Sequence, residues 1–172
     1  MRTLLTATVA AVLLSACGFQ LRGTQSSITL TDTAVYVECP DAVSRTLCQQ
    51  VREGLRTAGA DLVPADESRY ELDVPRVVES IRAVSISQSA DTAENEITRT
   101  VTWSVRPRHG NMMTRGDVHR SQTYRYDKDS VLGDANEQAD IREDLDRQLA
   151  QAVVYQAARA IQSFARQNTD AY

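Results

Sequence analysis

Between two amphipathic helical stripes lies a stretch, residues 69–128, that reads as extended almost throughout. Successive side chains of a strand point to opposite faces, whereas a helix repeats its face every three to four residues. A chain with helix-period segments on either side of strand-period segments can bury both apolar surfaces by laying the helices on one face of a sheet. The alternation is clearest where Ile97, Val101, Trp103 and Val105 share one face and Thr98, Thr100, Thr102 and Ser104 the other. Upstream, Tyr70, Leu72 and Val74 alternate as far as Pro75, which marks a strand edge or bulge because it has no N–H for the ladder. Val77–Ser87 continues that strand, and Gln88–Asn95 reads as a loop. The run Arg106-Pro107-Arg108-His109-Gly110-Asn111 breaks the next strand. Val118–Asp127, with Tyr124 and Tyr126 on one face, supplies its hairpin partner.

The helical stripes are equally regular. From Asp41 to Ala58, Val43, Leu47, Val51 and Leu55 recur every four residues, and Gly59 is placed to end the helix in the left-handed conformation. Near the C-terminus Asp134 and Glu137 have capping-box spacing, and Ile141, Leu145, Leu149, Val153, Ala157 and Ile161 form a stripe to about Phe164. The β-branched and aromatic run Ala34–Cys39 makes a first strand. The expected architecture is α+β: a two-layer sandwich, residues 31–166, with a four-stranded mixed sheet and two amphipathic helices on one face. A polar tail, 167–172, is expected to be disordered.

The N-terminus carries a different signal. Arg2 precedes the apolar run Leu4–Leu14, which is well short of the roughly 20 residues a bilayer span needs. Leu14-Ser15-Ala16-Cys17 places small residues before a cysteine, the pattern of a lipoprotein signal removed before Cys17. Residues 1–16 are then the signal peptide. Cys17 takes a diacylglycerol and an N-acyl chain, and residues 17–30 form a tether. Multiple acyl chains anchor stably because each buried methylene contributes about 0.8 kcal/mol. An ordinary secretory leader with a chance cysteine is the plainer alternative. Cys39 and Cys48 remain as an even pair in an oxidising compartment, either bridged or as two buried free thiols.

Constellations for chemistry are sparse. There is no nucleophile elbow and no Gly-rich phosphate loop, and no catalytic residue is assigned. His109 and His119 have no Cys or carboxylate neighbours at metal-ligand spacing, so neither a metal site nor a cofactor beyond the covalent lipid is expected. Asp127-Lys128-Asp129 opens like a calcium loop, but Val131 and Leu132 stand where further ligand and glycine positions should follow. Asp140, Glu143, Asp144 and Asp146 read as a solvated helix face.

Charge is more informative. Removing the signal leaves a net charge of −5, yet residues 97–128 carry seven basic and two acidic side chains. Of the 18 basic residues in the mature chain, all but Lys128 are arginine, a bias that suits bidentate phosphate contacts or reflects a GC-rich genome. A basic hairpin tipped by Met112 and Met113 on an acidic body would attract a phosphorylated glycolipid. An unevenly charged, merely solvated hairpin is the bland alternative. Nucleic acid is not expected, since the chain lacks a stacking platform.

The residues from the acylation site onward, Cys17-Gly18-Phe19-Gln20-Leu21-Arg22-Gly23, resemble the start of the lipopolysaccharide-assembly lipoprotein family LptE, which typically shows Cys-Gly-aromatic-x-Leu-Arg here. The order of elements is similar across nearly the whole mature chain. The resemblance implies a non-enzymatic outer-membrane lipoprotein, anchored on the periplasmic side. It would plug and help assemble the large β-barrel LptD, as a 1:1 complex that delivers lipopolysaccharide to the outer leaflet. It also implies a four-stranded sheet with two helices on one face. Gly18 after the acylated cysteine fits outer-membrane sorting. Some family members touch lipid A with basic residues before the third strand and before the last helix. Here Asp91-Thr92-Ala93-Glu94 and Gly133-Asp134-Ala135-Asn136 hold no base, so those roles are not carried over. Arg106, Arg108 and Arg115 are the candidate lipopolysaccharide contacts instead. The competing expectation is a periplasmic lipoprotein serving as binding module of an ABC-type lipid transport system. An anchored hydrolase lacks its nucleophile and base.

Overall fold

The computed structural model describes residues 29–86, 92–127 and 131–169. The signal segment, Cys17 and its tether as far as residue 28, part of the loop placed at Gln88–Asn95, Lys128, and residues 170–172 lie outside the described residues. In order, the chain forms β1 (Thr33–Glu38), α1 (Arg45–Thr57), β2 (Ala60–Leu62), a 3-10 turn (Ala65–Glu67), β3 (Tyr70–Ile86), β4 (Thr92–Pro107), β5 (Thr114–Asp127) and α2 (Val131–Thr169). The sheet order is β2-β1-β3-β4-β5, with β1 parallel to both its neighbours and the β3-β4-β5 meander antiparallel.

The sheet therefore has five strands, not four. The additional one, β2, is only three residues long, too short for alternation to reveal. It forms because Gly59, at φ 90°, reverses the chain after α1 and sets Ala60, Asp61 and Leu62 opposite Thr33, Ala34 and Val35. At its other end α1 is capped by Ser44, whose Oγ accepts from the Leu47 N–H at 3.1 Å. The helix starts at Arg45 rather than Asp41, because the Ser44 cap sets its first turn; Leu47, Val51 and Leu55 are buried as their spacing predicts, and Val43 is buried just before the cap.

The last helix departs from expectation at both ends. It begins at Val131, so Asp134 lies within its first turn rather than at a cap, and it continues through the supposed tail to Thr169. Gly133–Asn136 accordingly sits inside the helix rather than before it. Thr92–Asn95 is likewise strand, pairing β5 through Thr92↔Asp127 and Asn95↔Tyr124. Pro75 does mark a bulge: the β3–β4 register shifts between Asp73 and Arg76.

The domain also starts earlier than predicted. Leu30 is 2% exposed and its N–H donates to the Ala58 carbonyl at 2.6 Å, while the Gln162 amide donates to the Thr29 carbonyl at 3.1 Å. The end of the supposed tether is thus core.

The main core unites Leu72, Val74, Val101, Trp103, Val105 and Val118 from one sheet face with Leu47, Val51, Leu55, Leu149, Val153 and Ile161 from the two helices. Phe164 stacks on Tyr70, with centroids 6.3 Å apart. Beyond it lies a smaller cluster, Ile97, Tyr124, Ile141 and Leu145. Between the two, at the inward-facing position of β4 flanked by Ile97 and Val101, stands an arginine. Arg99 places Nη1 2.8 Å from Asp146 Oδ1 and Nε 3.5 Å from Glu79, and donates to the Arg142 carbonyl at 3.1 Å. The Ser44 hydroxyl that caps α1 also donates to Asp146 at 2.5 Å. Asp146, read from sequence as a solvated helix carboxylate, is instead buried at 3% exposure.

Cys39 and Cys48 form a disulfide across nine positions, with Cα atoms 6.2 Å apart, tying the end of β1 to the first turn of α1. Closing so short a loop stabilises modestly, so Cys39→Ser/Cys48→Ser is expected to lose about 2–3 kcal/mol. Intact mass before and after reduction checks the bridge, and urea unfolding checks its contribution. An unchanged mass on reduction would refute the bridge, and unfolding indifferent to reductant would refute its contribution.

Candidate functional site

Both helices cover one side of the sheet, so the other is a surface on which strand parity alone decides what is displayed. Thr98, Thr100, Thr102 and Ser104 of β4 lie there beside Arg76, Val78 and Ser80 of β3 and Asp117, His119 and Ser121 of β5. None of these is buried. Cross-strand pairs knit the face together: the Thr102 hydroxyl donates to Asp117 at 2.6 Å, Arg82 pairs with Glu96 at 2.8 Å, and Arg125 with Glu94 at 3.7 Å. The open face is a hydroxyl and ion-pair surface.

The three candidate arginines lie at the end of this face nearest the β4–β5 turn, and they are not equivalent. Arg106 is held by Glu71, with Nε donating at 2.7 Å and Nη2 at 2.5 Å. Glu71, then Glu38 and Asp73, raise its pKa above the ordinary value, and together with Ser104 they line a cavity of about 100 Å³. Its charge is therefore largely answered from within the chain. Arg108 turns back to donate to the Ala65 carbonyl, and its N–H donates to the Arg69 carbonyl at 2.9 Å. Arg115, opposite Ser104, is exposed, and its side chain has no ion-pair or hydrogen-bond partner among the described residues. Of the three, Arg115 is the one whose guanidinium remains available to an outside anion.

The excess of basic residues in 97–128 is not one patch. Arg99 is buried, Arg106 and Arg125 are paired, and Arg120 donates to the His119 carbonyl at 2.8 Å. Sequence counting missed this because each neutralising partner lies on a different element or strand. One part was detectable: Arg99 has the same parity as Ile97 and Val101, so it had to face the core and find a carboxylate there.

His109 lies in the β4–β5 turn and His119 on β5 opposite Thr100, both exposed. Among the described residues no group of three or more His, Cys, Asp or Glu side chains could hold a metal ion. No described helix is long and apolar enough to cross a membrane. A second recess, on the helix side of the sheet edge, is lined by Arg120, Gln148, Gln151, Ala152, Tyr155 and Gln156. Gln156 also accepts the Trp103 indole N–H at 2.9 Å.

The family model described as "LptE: Lipopolysaccharide-assembly" matches residues 32–157. No curated protein sequence matches the chain. Among solved structures, the minor lipoprotein of Acinetobacter baumannii shares 19% identity at a TM-score of 0.62, covering 74% of this chain and 92% of its own. Rare lipoprotein B of Shewanella oneidensis also shares 19% identity at 0.62, covering 80% and 98%. The uncharacterized lipoprotein B of Nitrosomonas europaea shares 20% identity at 0.63, covering 83% and 92%. At these identities the likeness is one of fold.

Proposed function

Because this chain belongs to the LptE lipopolysaccharide-assembly family, we propose that it is an outer-membrane lipoprotein, acylated on Cys17, that plugs the LptD β-barrel in a 1:1 complex and takes part in delivering lipopolysaccharide to the outer leaflet. It does so as a structural and assembly partner, without catalysis. The observation that carries the plug reading is the open sheet face. A sheet side left bare by the helices is usually apolar and waiting for a cover, or polar and solvated. Here hydroxyls and ion pairs predominate, with Arg76 and Arg115 unpaired among the described residues and Val78 the one exposed large apolar side chain among the residues named on this face, a composition that matches the polar interior of a large outer-membrane barrel better than it matches lipid. A plug of this kind meets its wall through hydrogen bonds.

Purification of the acylated chain from its native membrane tests this directly. It should emerge with a very large outer-membrane barrel, and a photo-crosslinker at Thr100 should capture that barrel. Recovery alone, or with an inner-membrane transporter complex, would overturn the reading.

The same reading assigns anionic-glycolipid contact to Arg106, Arg108 and Arg115, with Arg115 foremost because the other two spend donors inside the chain. Arg115→Gln should weaken lipopolysaccharide binding by about fivefold or more, the loss of one charge-assisted contact. Arg106→Gln should do less. Equal, negligible effects in a direct binding assay would remove these residues from the site.

A further inference from the structure

β1 pairs β3 only from Tyr70 to Asp73. Beyond Glu38 the chain leaves the sheet through Cys39, bridged to Cys48, and enters α1. From Val74 to Ile86, β3 therefore has β4 on one side and no strand on the other among the described residues. The N–H and C=O groups on that side form no ladder, which makes them a template for a further strand. Sheets blunt such edges, and the other two edges here are blunted. β2 is only three residues long, and the exposed residues of β5 from Arg115 to Arg125 are charged, histidine or neutral polar. On β3 the protection stops at its start, where Pro75 and the register shift between Asp73 and Arg76 interrupt pairing. The ladder with β4 then runs regularly from Arg76 to Ala83. Val78 is 50% exposed, Ile81 46% and Val84 44%, and no other described strand exposes a large apolar side chain. Nor do the charges screen this edge: Glu79 is drawn to Arg142 and Arg99, and Arg82 to Glu96 of β4. Only Arg76 keeps a side chain with no ion-pair or hydrogen-bond partner among the described residues. A regular, β-branched edge exposed on both faces aggregates unless something covers it.

We propose that the free edge of β3, Arg76–Ala83, takes up an extended segment of the enclosing barrel protein as a sixth strand of the sheet. The inference rests on the plug reading and deepens it, adding a backbone contact to the side-chain contacts of the open face. A closed barrel pairs every wall strand with its neighbours, so no wall strand has a ladder to offer. The segment comes instead from a loop or chain end of the barrel that folds into the lumen. Its chemistry follows from the edge it meets. Val78, opposite Thr100, lies on the open face, and Ile81, opposite Ile97, on the helix side. The segment thus presents apolar, preferably β-branched, side chains on both faces, and an acidic one at the end that meets Arg76. A 1:1 complex leaves no second copy of this chain to occupy the slot.

The test compares the acylated chain alone in detergent with the same chain purified in its barrel complex. Hydrogen exchange, read residue by residue, should be slowed about tenfold or more in the complex at alternate amides between Arg76 and Ala83. Alternation is the signature, because every second N–H of a strand points to the same side, whereas simple burial slows neighbours alike. Ile81→Lys/Val84→Lys puts charge on the edge and should abolish the alternating protection while the free chain keeps its Tm. A photo-crosslinker at Ile81 should capture a loop or chain end of the barrel. Unchanged or non-alternating exchange, or crosslinks confined to wall strands, would overturn the added strand and leave the plug reading standing. Crosslinks between two copies of this chain would overturn it in favour of self-association. Recovery of the chain without any barrel would overturn the plug reading and this inference together.

Discussion

Replacing Arg99 with methionine is expected to lower the unfolding free energy by about 3–5 kcal/mol, measured by urea denaturation, because it strands a buried carboxylate. The Asp146 side chain is 4% exposed. Without Arg99 it keeps, among the described residues, only the Ser44 hydroxyl at 2.5 Å to answer its charge. Loss on this scale corresponds to a fall in Tm of roughly 10 °C or more for a domain of this size. The companion variant separates charge from packing. Arg99→Met/Asp146→Leu removes both ions and fills the volume, so it should recover most of the loss, since a buried pair contributes little net of its desolvation. A double variant as unstable as the single would show that the network stabilises through geometry that apolar side chains cannot replace. Arg99 lies between the main core and the Ile97 cluster, and through Asp146 and Ser44 it joins β4, α2 and the cap of α1 in one arrangement.

Trp103→Ala should cost a comparable amount, about 3–5 kcal/mol, through loss of the largest side chain in the main core. Trp103 is 3% exposed, and its ring lies so close over Gly116 that a Cβ there would meet Cζ2 at 2.8 Å and Nε1 at 2.9 Å. Gly116 is opposite Trp103 in the β4–β5 register, so the missing side chain on β5 is what admits the indole. Gly116→Ala is therefore expected to lose about 1–3 kcal/mol by overpacking. Trp103→Phe should be better tolerated in the Gly116→Ala background than alone, because the smaller ring frees the space the methyl needs. Strict additivity of the two changes would defeat this account. Trp103 is the sole tryptophan, so its fluorescence reports unfolding in the Gly116 variant without an added probe.

Much of the architecture was legible because its signals are local. The α1 stripe Leu47, Val51 and Leu55 and the inward set Tyr70, Leu72, Val74, Val101, Trp103 and Val105 are buried as their periods require, and Val43 is buried just before the helix begins. Less of the candidate site was legible. Arg106, Arg108 and Arg115 stand within ten residues and look alike as letters. Glu71 and the Ala65 carbonyl, more than thirty residues upstream, occupy the first two and leave the third. Asp146 looked like its neighbours Glu143 and Asp144, which do sit in exposed pairs with Arg147. Only the side of α2 that meets the sheet distinguishes them.

The sequence by itself determined which residues turn inward and which outward, since the periods of helix and strand are properties of the backbone and act over a few residues. It also determined, through the run ending at Cys17, the expectation of an anchor. The tertiary structure alone decided the fifth strand, the docking of Thr29 and Leu30, the choice of Asp146 as the partner of Arg99 and the capture of Arg106 by Glu71. Each depends on strand direction and register between segments distant in the chain. Such pairings are set by how whole faces fit together, and no local pattern of residues encodes them.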